Sequence, residues 1–303
     1  MEDTRSGFIA IVGKPNVGKS TLLNSIIGEK VSITSPKVQT TRHTILGVKT
    51  KGNKQAVYVD TPGMHLGYKK QLNQFMNKAA QSALKDVDVV LCLLDSLKIS
   101  PDDEKVLSLL ETVKAPVILA INKIDLIKDK AKMLPFVERV SKRMEFIEII
   151  PISVEKNHNI DKLQELVMER LPEGPFYYSE SSVTDKSENF RVAELIREKL
   201  MLGLSEELPY SSTVSIEDIN KESKNKEGNL IVKIYATIWV ERDSQKSIVI
   251  GEGGLKIKEL GTRARLALEY LYKEKVFLDV RVKVKNSWAD DERAMLSLGY
   301  NLD

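Results

Sequence analysis

The 303-residue chain has few of the features that mark secreted or membrane-spanning proteins. Cys92 is its single cysteine, which excludes a disulfide framework and favours a reducing, cytoplasmic environment. The longest apolar run, residues 87–94, is interrupted by Asp88 and is far too short to cross a bilayer, so we interpret it as a buried central strand. The three histidines share no spacing typical of metal ligands.

The composition predicts two domains. The 42% hydrophobic content of a chain this long is enough for two separate cores. A helix predicted over 160–171 is broken by P-E-G-P at 172–175, and a polar, serine-rich stretch follows. We therefore predict one domain over 1–175, a linker over 176–189 and a second domain over 190–303.

Residues 13–20 read G-K-P-N-V-G-K-S, a complete phosphate-loop pattern. An apolar run at 8–12 precedes them and a helix-compatible stretch at 21–27 follows, which is the context that the pattern requires. Glycines let backbone N–H groups approach an anion, and the helix N-terminus adds partial positive charge. Lys19 would reach the β- and γ-phosphates, and the Ser20 hydroxyl would hold Mg²⁺. The residues predicted to contact the nucleotide here are Gly13, Lys14, Pro15, Asn16, Val17, Gly18, Lys19, Ser20 and Thr21.

A second motif indicates guanine as the base. The apolar run 117–121 predicts a buried strand that leads into Asn122-Lys123-Ile124-Asp125. The Asp125 carboxylate can accept hydrogen bonds from guanine N1 and the exocyclic amine, two donors that adenine does not offer. The Lys123 stem can lie over the base, and Asn122 can tie this loop to the phosphate loop. An ATP-dependent kinase is therefore disfavoured.

A third motif, Asp60-Thr61-Pro62-Gly63, follows a predicted strand at 55–59. Asp60 would hold Mg²⁺ through a water molecule. The Gly63 N–H would hydrogen-bond the γ-phosphate and pass the nucleotide state to the segment that follows.

The second half of the chain predicts a different fold. Helices are expected at 191–207 and 256–273 and strands at 213–220, 230–240 and 276–284. Residues 250–258 match the I-G-x-x-G-x-x-I-K core of KH domains, and the order α-β-β-α-α-β resembles the type II arrangement; a generic helix–turn–helix is the alternative. The candidate RNA-binding residues are Ile250, Gly251, Glu252, Gly253, Gly254, Lys256, Lys258 and Arg263. A terminal helix is expected within 286–303, with Trp288 docking it onto the domain.

Charge supports a polyanionic partner for this half. The whole chain has a net charge of +3, but Lys246 to Lys285 contain ten basic and five acidic residues, a net charge of +5. Glu252 stands where KH domains commonly have a basic residue, so attraction to phosphate must come from its neighbours. A solubilising surface or an anionic lipid surface would explain the charge equally well.

Together, these motifs resemble the translation-factor-like GTPases, and more narrowly the Era family, over nearly the whole chain. The segment 39–43, Q-T-T-R-H, resembles the family's first switch, with Thr41 as the expected Mg²⁺ ligand and Thr40 as the alternative. Ser153 and Val154 resemble the fifth GTPase motif, usually Ser-Ala, so Val154 is a departure.

The resemblance also bears on hydrolysis. Lys19, Thr41 and Gly63 are the expected catalytic residues. Met64 replaces the usual water-positioning glutamine, so intrinsic turnover is expected to be slow, with His65 or backbone groups nearby as alternatives. Asn16 resembles a ligand for K⁺ beside the phosphates, or it only caps the loop; Ser20, Thr41, Asp60 and Asn16 form the expected metal set.

The family resemblance implies an α/β chain: a phosphate-loop GTPase domain with a mostly parallel sheet, then an α+β type II KH domain. It implies a factor for small ribosomal subunit assembly that binds GTP and GDP with Mg²⁺, and K⁺ if Asn16 is a ligand. The expected partner is the 3′ end of small-subunit rRNA on the small subunit. We expect a cytoplasmic monomer with a peripheral inner-membrane fraction. The alternative is a regulatory switch that acts on a protein or at the membrane surface.

Overall fold

The computed structural model describes residues 3–62, 71–95, 97–204, 208–224 and 230–300. The chain divides into two compact units: the first runs to Asp185, the second begins at Lys186, and a short segment before Phe75 groups with the second. The division falls within the predicted linker. The exact domain limits remain a prediction.

The first unit is built on a six-stranded sheet, in the order β2-β3-β1-β4-β5-β6. Only β2 and β3 pair antiparallel; the other neighbours pair parallel. The strands are β1 Arg5–Val12, β2 Ile45–Lys51, β3 Lys54–Asp60, β4 Val89–Leu94, β5 Val117–Ile121 and β6 Glu148–Pro151. The helices are α1 Lys19–Ile27, α2 Gln71–Ser82, α3 Pro101–Leu110, α4 Met133–Ser141 and α5 Ile160–Glu169.

The central strands are apolar along their whole length because parallel sheets are covered on both faces. Every residue of β4 and of β5 is buried. Cys92 lies within β4 with no exposed surface, and burial raises the pKa of its thiol to about 12. The sequence prediction of a buried central strand in this segment is therefore confirmed, although the strand begins two residues later than the apolar run.

Residues 173–185, within and just before the predicted linker, are held along the first unit. Gln55 and Tyr178 bond reciprocally, with Gln55 Nε2 donating to the Tyr178 carbonyl at 2.9 Å and Tyr178 N donating to Gln55 Oε1 at 3.0 Å. The Thr184 hydroxyl donates to the Leu46 carbonyl at 2.7 Å. This segment therefore covers β2, the edge strand of the sheet, instead of forming a free tether.

The second unit contains a three-stranded sheet in the order β7-β8-β9. The pair β7–β8 is antiparallel and the pair β8–β9 is parallel. Its elements are α6 Glu188–Gly203, β7 Ser212–Asn220, β8 Ile231–Val240, α7 Asp243–Ile250, α8 Leu255–Tyr272, β9 Lys275–Val284 and α9 Glu292–Ser297. The order before α9 is α-β-β-α-α-β, as predicted.

Two elements of this unit differ from the sequence prediction. α6 begins at Glu188 instead of 191 because the Ser187 hydroxyl accepts a hydrogen bond from Phe190 N at 3.3 Å. The tail is not one helix: a 3₁₀ turn, Trp288–Asp290, is followed by the six-residue α9, which the Asp291 carboxylate caps. Trp288 is fully buried and its indole N–H donates to the Ser211 carbonyl at 3.0 Å, so it does dock the tail.

Among the described residues, no helix is both long enough and apolar enough to cross a membrane.

Candidate functional site

The phosphate-loop residues form a tight turn between β1 and α1. Gly13 has φ 153°, and a Cβ there would lie 2.7 Å from the Leu93 carbonyl oxygen. Gly18 has φ 109°, and a Cβ there would lie 2.5 Å from Asn122 Nδ2. Both positions therefore require glycine for reasons of conformation and space. The loop sits at the carboxyl edge of the parallel sheet, where ligands bind in this type of fold.

Lys19 is the residue of the loop whose pKa is shifted most. Its ammonium group is buried and donates to the carbonyls of Gly13 at 2.9 Å and Lys14 at 3.0 Å. Burial lowers the pKa of Lys19 to about 8, against the attraction of Asp60. A phosphate group beside this ammonium would replace the hydration that burial removes.

Three oxygen-bearing side chains meet next to this lysine. The Ser20 hydroxyl lies 2.7 Å from Asp60 Oδ2 and 2.8 Å from the Thr41 hydroxyl. Thr40 instead donates to the Lys37 carbonyl at 2.7 Å, so of the two candidate threonines it is Thr41 that joins the cluster. Burial raises the pKa of Asp60, although hydrogen bonds, that of Ser20 first, partly offset it.

The donor set of this cluster fits Mg²⁺. Asp60 has no exposed surface, and its Oδ1 has no hydrogen-bond partner among the described residues. A buried carboxylate oxygen without a partner is costly unless a cation or water satisfies it. Hydroxyl and carboxylate oxygens are the ligands that Mg²⁺ takes in phosphate-binding sites. The sequence analysis did not include Ser32, whose hydroxyl donates to Asp60 Oδ2 at 3.0 Å.

The predicted guanine-binding residues follow β5. Asn122 Nδ2 donates to the Val17 carbonyl at 3.0 Å, which is the tie between the two loops that the sequence predicts. The Ser153 hydroxyl donates to Asp125 Oδ1 at 2.5 Å and so orients that carboxylate. Val154 N donates to Asn122 Oδ1 at 3.2 Å, which joins the fifth motif to the same network.

Lys123 connects this network to Asn16 of the phosphate loop. Lys123 has φ 61°, and its ammonium donates to the Asn16 carbonyl at 2.8 Å. The Asn16 side chain donates to the Pro36 carbonyl at 2.8 Å. Asn16, Lys19, Ser20, Thr41 and Lys123 line a cleft of about 500 Å³, a volume in the range of nucleotide and cofactor pockets.

The sequence analysis did not include two acidic residues of this site. Asp95 lies within 2.8 Å of the Lys14 ammonium and 2.9 Å of the Lys123 ammonium, and Asp103 lies 3.0 Å from that of Lys14. Burial alone would raise the pKa of Asp95, but hydrogen bonds from the two lysines hold it below its ordinary value. The signal in the sequence was the position of Asp95, immediately after the apolar run of β4. Gly63, Met64 and His65 lie outside the described residues.

The second candidate site is the turn between α7 and α8. Gly251 has φ 74°, and a Cβ there would lie 2.6 Å from the Lys256 Cβ. Gly253 and Gly254 have φ 55° and 78°, with open space where a Cβ would point. Glu252 is exposed on the same turn. Left-handed glycines with open surroundings allow a ligand backbone to approach closely.

Beside α8 lies a groove of about 320 Å³, lined by Ile257, Lys258, Gly261, Thr262, Arg265, Leu278 and Val280. Its floor is apolar and one wall is β9, an edge strand that pairs only with β8 among the described strands. Of the predicted RNA-binding residues, Lys258 lines the groove, whereas the exposed Arg263 bonds Glu259 at 2.6 Å. Arg265 also lines the groove but was not among the residues predicted from the sequence.

Comparison with known proteins shows the family to which the chain belongs. Residues 8–123 match the model of the 50S ribosome-binding GTPases, and residues 207–289 match that of the KH domain. The chain is 52% identical to GTPase Era of Histophilus somni strain 129Pt over 99% of this chain and 98% of that protein. It is 53% identical to GTPase Era of Glaesserella parasuis over the same shares. The chain belongs to the Era family of GTPases.

Solved structures of Era agree over the full length. Era in complex with MgGDPNP and nucleotides 1506–1542 of 16S ribosomal RNA has a TM-score of 0.92 and 39% identity, covering 99% of this chain and all of that one. A tyrosine-to-alanine variant of Era from Aquifex aeolicus, bound to GDP·AlF₄⁻, has a TM-score of 0.91 and 38% identity, with the same coverage. The predicted fold, a phosphate-loop GTPase domain followed by a type II KH domain, is confirmed. As a member of the Era family, this chain is a GTPase.

Proposed function

We propose that the chain is a Mg²⁺-dependent GTPase that acts in small ribosomal subunit assembly and binds the 3′ region of small-subunit rRNA through its KH domain. The strongest support for the enzymatic part is the cluster of Ser20, Thr41 and Asp60, in which the buried Asp60 Oδ1 has no hydrogen-bond partner among the described residues. Support for the RNA part comes from the full-length similarity to Era solved with nucleotides of 16S ribosomal RNA.

In the nucleotide cleft, Ser20 and Thr41 would hold Mg²⁺ directly and Asp60 through water. When bound, the ion supplies positive charge where negative charge develops on the transferring phosphoryl group. Lys19 orients the β- and γ-phosphates. Asp125, oriented by Ser153, accepts the two guanine donors, and the Lys123 stem covers the base.

Turnover is slow without an activator, because Met64 cannot position the attacking water. Asn16 is the expected ligand of K⁺. A stimulating K⁺ would act as fixed positive charge beside the phosphates, so GTP hydrolysis should be faster in KCl than in NaCl. Equal rates in the two salts would exclude this role.

In the KH domain, the glycine turn clamps the RNA backbone and the groove beside α8 receives the bases. Lys258 lines that groove, where a phosphate-contacting lysine adds sequence-independent affinity. GTP would order Thr41 and the segment after Gly63, and hydrolysis would release them, so RNA affinity depends on the nucleotide. The protein would act as a cytoplasmic monomer, and the basic excess between Lys246 and Lys285 would attract a small fraction to anionic membrane.

The test is the affinity for an RNA that copies the 3′ end of small-subunit rRNA, measured with GDP and with a non-hydrolysable GTP analogue. We expect the RNA to bind more tightly than a scrambled sequence, and more tightly with the analogue than with GDP. Lys258→Glu should weaken binding about tenfold. Lys114→Glu, the same charge change at an exposed position of the first unit, should change it less than about twofold.

Equal affinity for the copied and scrambled RNA would refute the RNA part and leave the GTPase standing. Equal affinity with GDP and the analogue would refute the nucleotide dependence alone. If vesicles containing anionic lipid bind the chain better than the copied RNA does, the alternative of a switch at the membrane surface is favoured.

A further inference from the structure

The Asp95 carboxylate bridges the two nucleotide-binding loops of the first unit. Its Oδ1 lies 2.8 Å from the ammonium of Lys14 in the phosphate loop. Its Oδ2 lies 2.9 Å from the ammonium of Lys123 in the guanine loop. Each oxygen therefore serves one loop, and a neutral or shorter side chain could not serve both with charge-assisted bonds.

The topology explains why this bridge is possible. Asp95 directly follows β4, which lies between β1 and β5 in the sheet. β1 leads into the phosphate loop and β5 leads into the guanine loop. A residue at the carboxyl end of the strand between them is therefore the one placed to touch both.

A second carboxylate fixes the phosphate-loop end of the bridge. Lys14 also lies 3.0 Å from Asp103, which is 1% exposed and accepts from Ser100 N at 2.9 Å and Ser100 Oγ at 2.6 Å. These two carboxylates hold the pKa of Lys14 above its ordinary value in spite of burial. Lys14 is thereby held between a helix N-terminus and Asp95.

At the other end, the bridge determines the position of Lys123. The Lys123 ammonium has two acceptors, the Asn16 carbonyl at 2.8 Å and Asp95. The backbone of Lys123 is left-handed, and Asp125 follows two residues later in a 3₁₀ turn. Fixing the end of the Lys123 side chain thus fixes the stem that covers the base and the turn that carries the base-reading carboxylate.

We propose that Asp95 is a positioning residue for guanine recognition: it fixes Lys123, and through it the Asp125 turn, against the phosphate loop. This inference rests on the nucleotide site proposed above. It assigns to Asp95 an effect on the base end of the ligand, whereas a merely structural role would weaken binding of every ligand alike.

The experiment compares Asp95→Asn, Asp95→Glu and the wild-type chain. Asp102→Asn is the matched control, since Asp102 is exposed and, within the described structure, bonds only Lys105 on its own helix, at 3.1 Å. The probes are GDP, IDP and pyrophosphate in equilibrium binding. IDP lacks the exocyclic amine, so it offers Asp125 one donor instead of two, and pyrophosphate reports the phosphate loop alone.

We expect Asp95→Asn to weaken GDP binding about tenfold and pyrophosphate binding less than about twofold, and to reduce the preference for GDP over IDP. Asp95→Glu keeps the charge and should restore that preference to within about twofold of wild type. Asp102→Asn should match wild type with all three probes. Thermal unfolding checks that each variant is folded, and Asp95→Ser replaces Asp95→Asn if that variant is not.

Unchanged GDP binding in Asp95→Asn, or equal losses for GDP, IDP and pyrophosphate, would overturn the inference. A wild-type chain with no preference for GDP over IDP would instead refute the proposed guanine site, whatever the variants do.

Discussion

The ammonium group of Lys19 is buried where no carboxylate forms an ion pair with it in the described structure, and only the carbonyls of Gly13 and Lys14 accept from it. Such a group destabilises the folded chain, because the charged form loses hydration that two carbonyls do not fully replace. Because this ammonium charge is incompletely compensated, it also favours the binding of a phosphate group. Function at this residue therefore opposes stability.

Lys19→Met should make the nucleotide-free chain more stable at pH 7, by about 1–2 kcal/mol after allowing for the lost hydrogen bonds. The pKa of Lys19 is lowered from 10.5 to about 8, so the unfolded chain binds more protons between these two values. Wild-type stability therefore rises with pH in that window, and the advantage of the variant should shrink there. Urea unfolding at pH 7 and pH 10 measures this; a variant less stable than wild type at pH 7 would contradict it. Lys114→Met, at an exposed site, is the control.

At the scale of elements, β2 is the vulnerable edge of the first sheet, because an edge strand exposes unpaired backbone groups. Val48 N donates to the Val183 carbonyl at 3.0 Å, and the Thr184 hydroxyl donates to the Leu46 carbonyl at 2.7 Å. β2 begins at Ile45, four residues after Thr41 in the first switch. The covering segment thus stabilises the strand next to the switch.

Thr184→Val should destabilise the first unit by about 1 kcal/mol, since it keeps the shape of the side chain and leaves the Leu46 carbonyl without that donor. Urea unfolding followed by a probe of the first unit measures the loss. Thr112→Val is the control, because it lies in the same unit and its exposed hydroxyl donates to the Leu109 carbonyl at 2.8 Å. A change at Thr184 no larger than at Thr112 would show that the hydrogen bond to Leu46 adds nothing.

Sequence patterns predicted most elements but not the contacts between distant ones. The apolar runs that became β4 and β5 are long and uniform enough to mark buried parallel strands. The bridge by Asp95 and the cover of β2 by residues 173–185 join segments far apart in the chain, and no local spacing encodes them. For the same reason Ser32 and Asp103 were missed, whereas Lys19, Asp60 and Asp125 lie within motifs whose spacing is local.

At the scale of the molecule, the chain has at least two separate cores. One lies in the first unit and includes Cys92, Leu119 and Phe136. Another lies in the second unit and includes Ile196 and Ile238. Because each unit buries its own apolar residues, damage to one core need not unfold the other.

Trp288→Ala tests this independence. Trp288 is fully buried in the second unit, its indole N–H donates to the Ser211 carbonyl at 3.0 Å, and its ring stacks on Tyr300 at 5.5 Å between centroids. Removing it should destabilise that unit by about 3–5 kcal/mol. RNA binding should be lost, either in buffer or at a lower urea concentration than in the wild-type chain. GDP affinity should stay within about twofold of wild type. If GDP affinity falls together with RNA binding, the two units unfold as one, and the nucleotide state would then reach the RNA through shared stability instead of through the first switch.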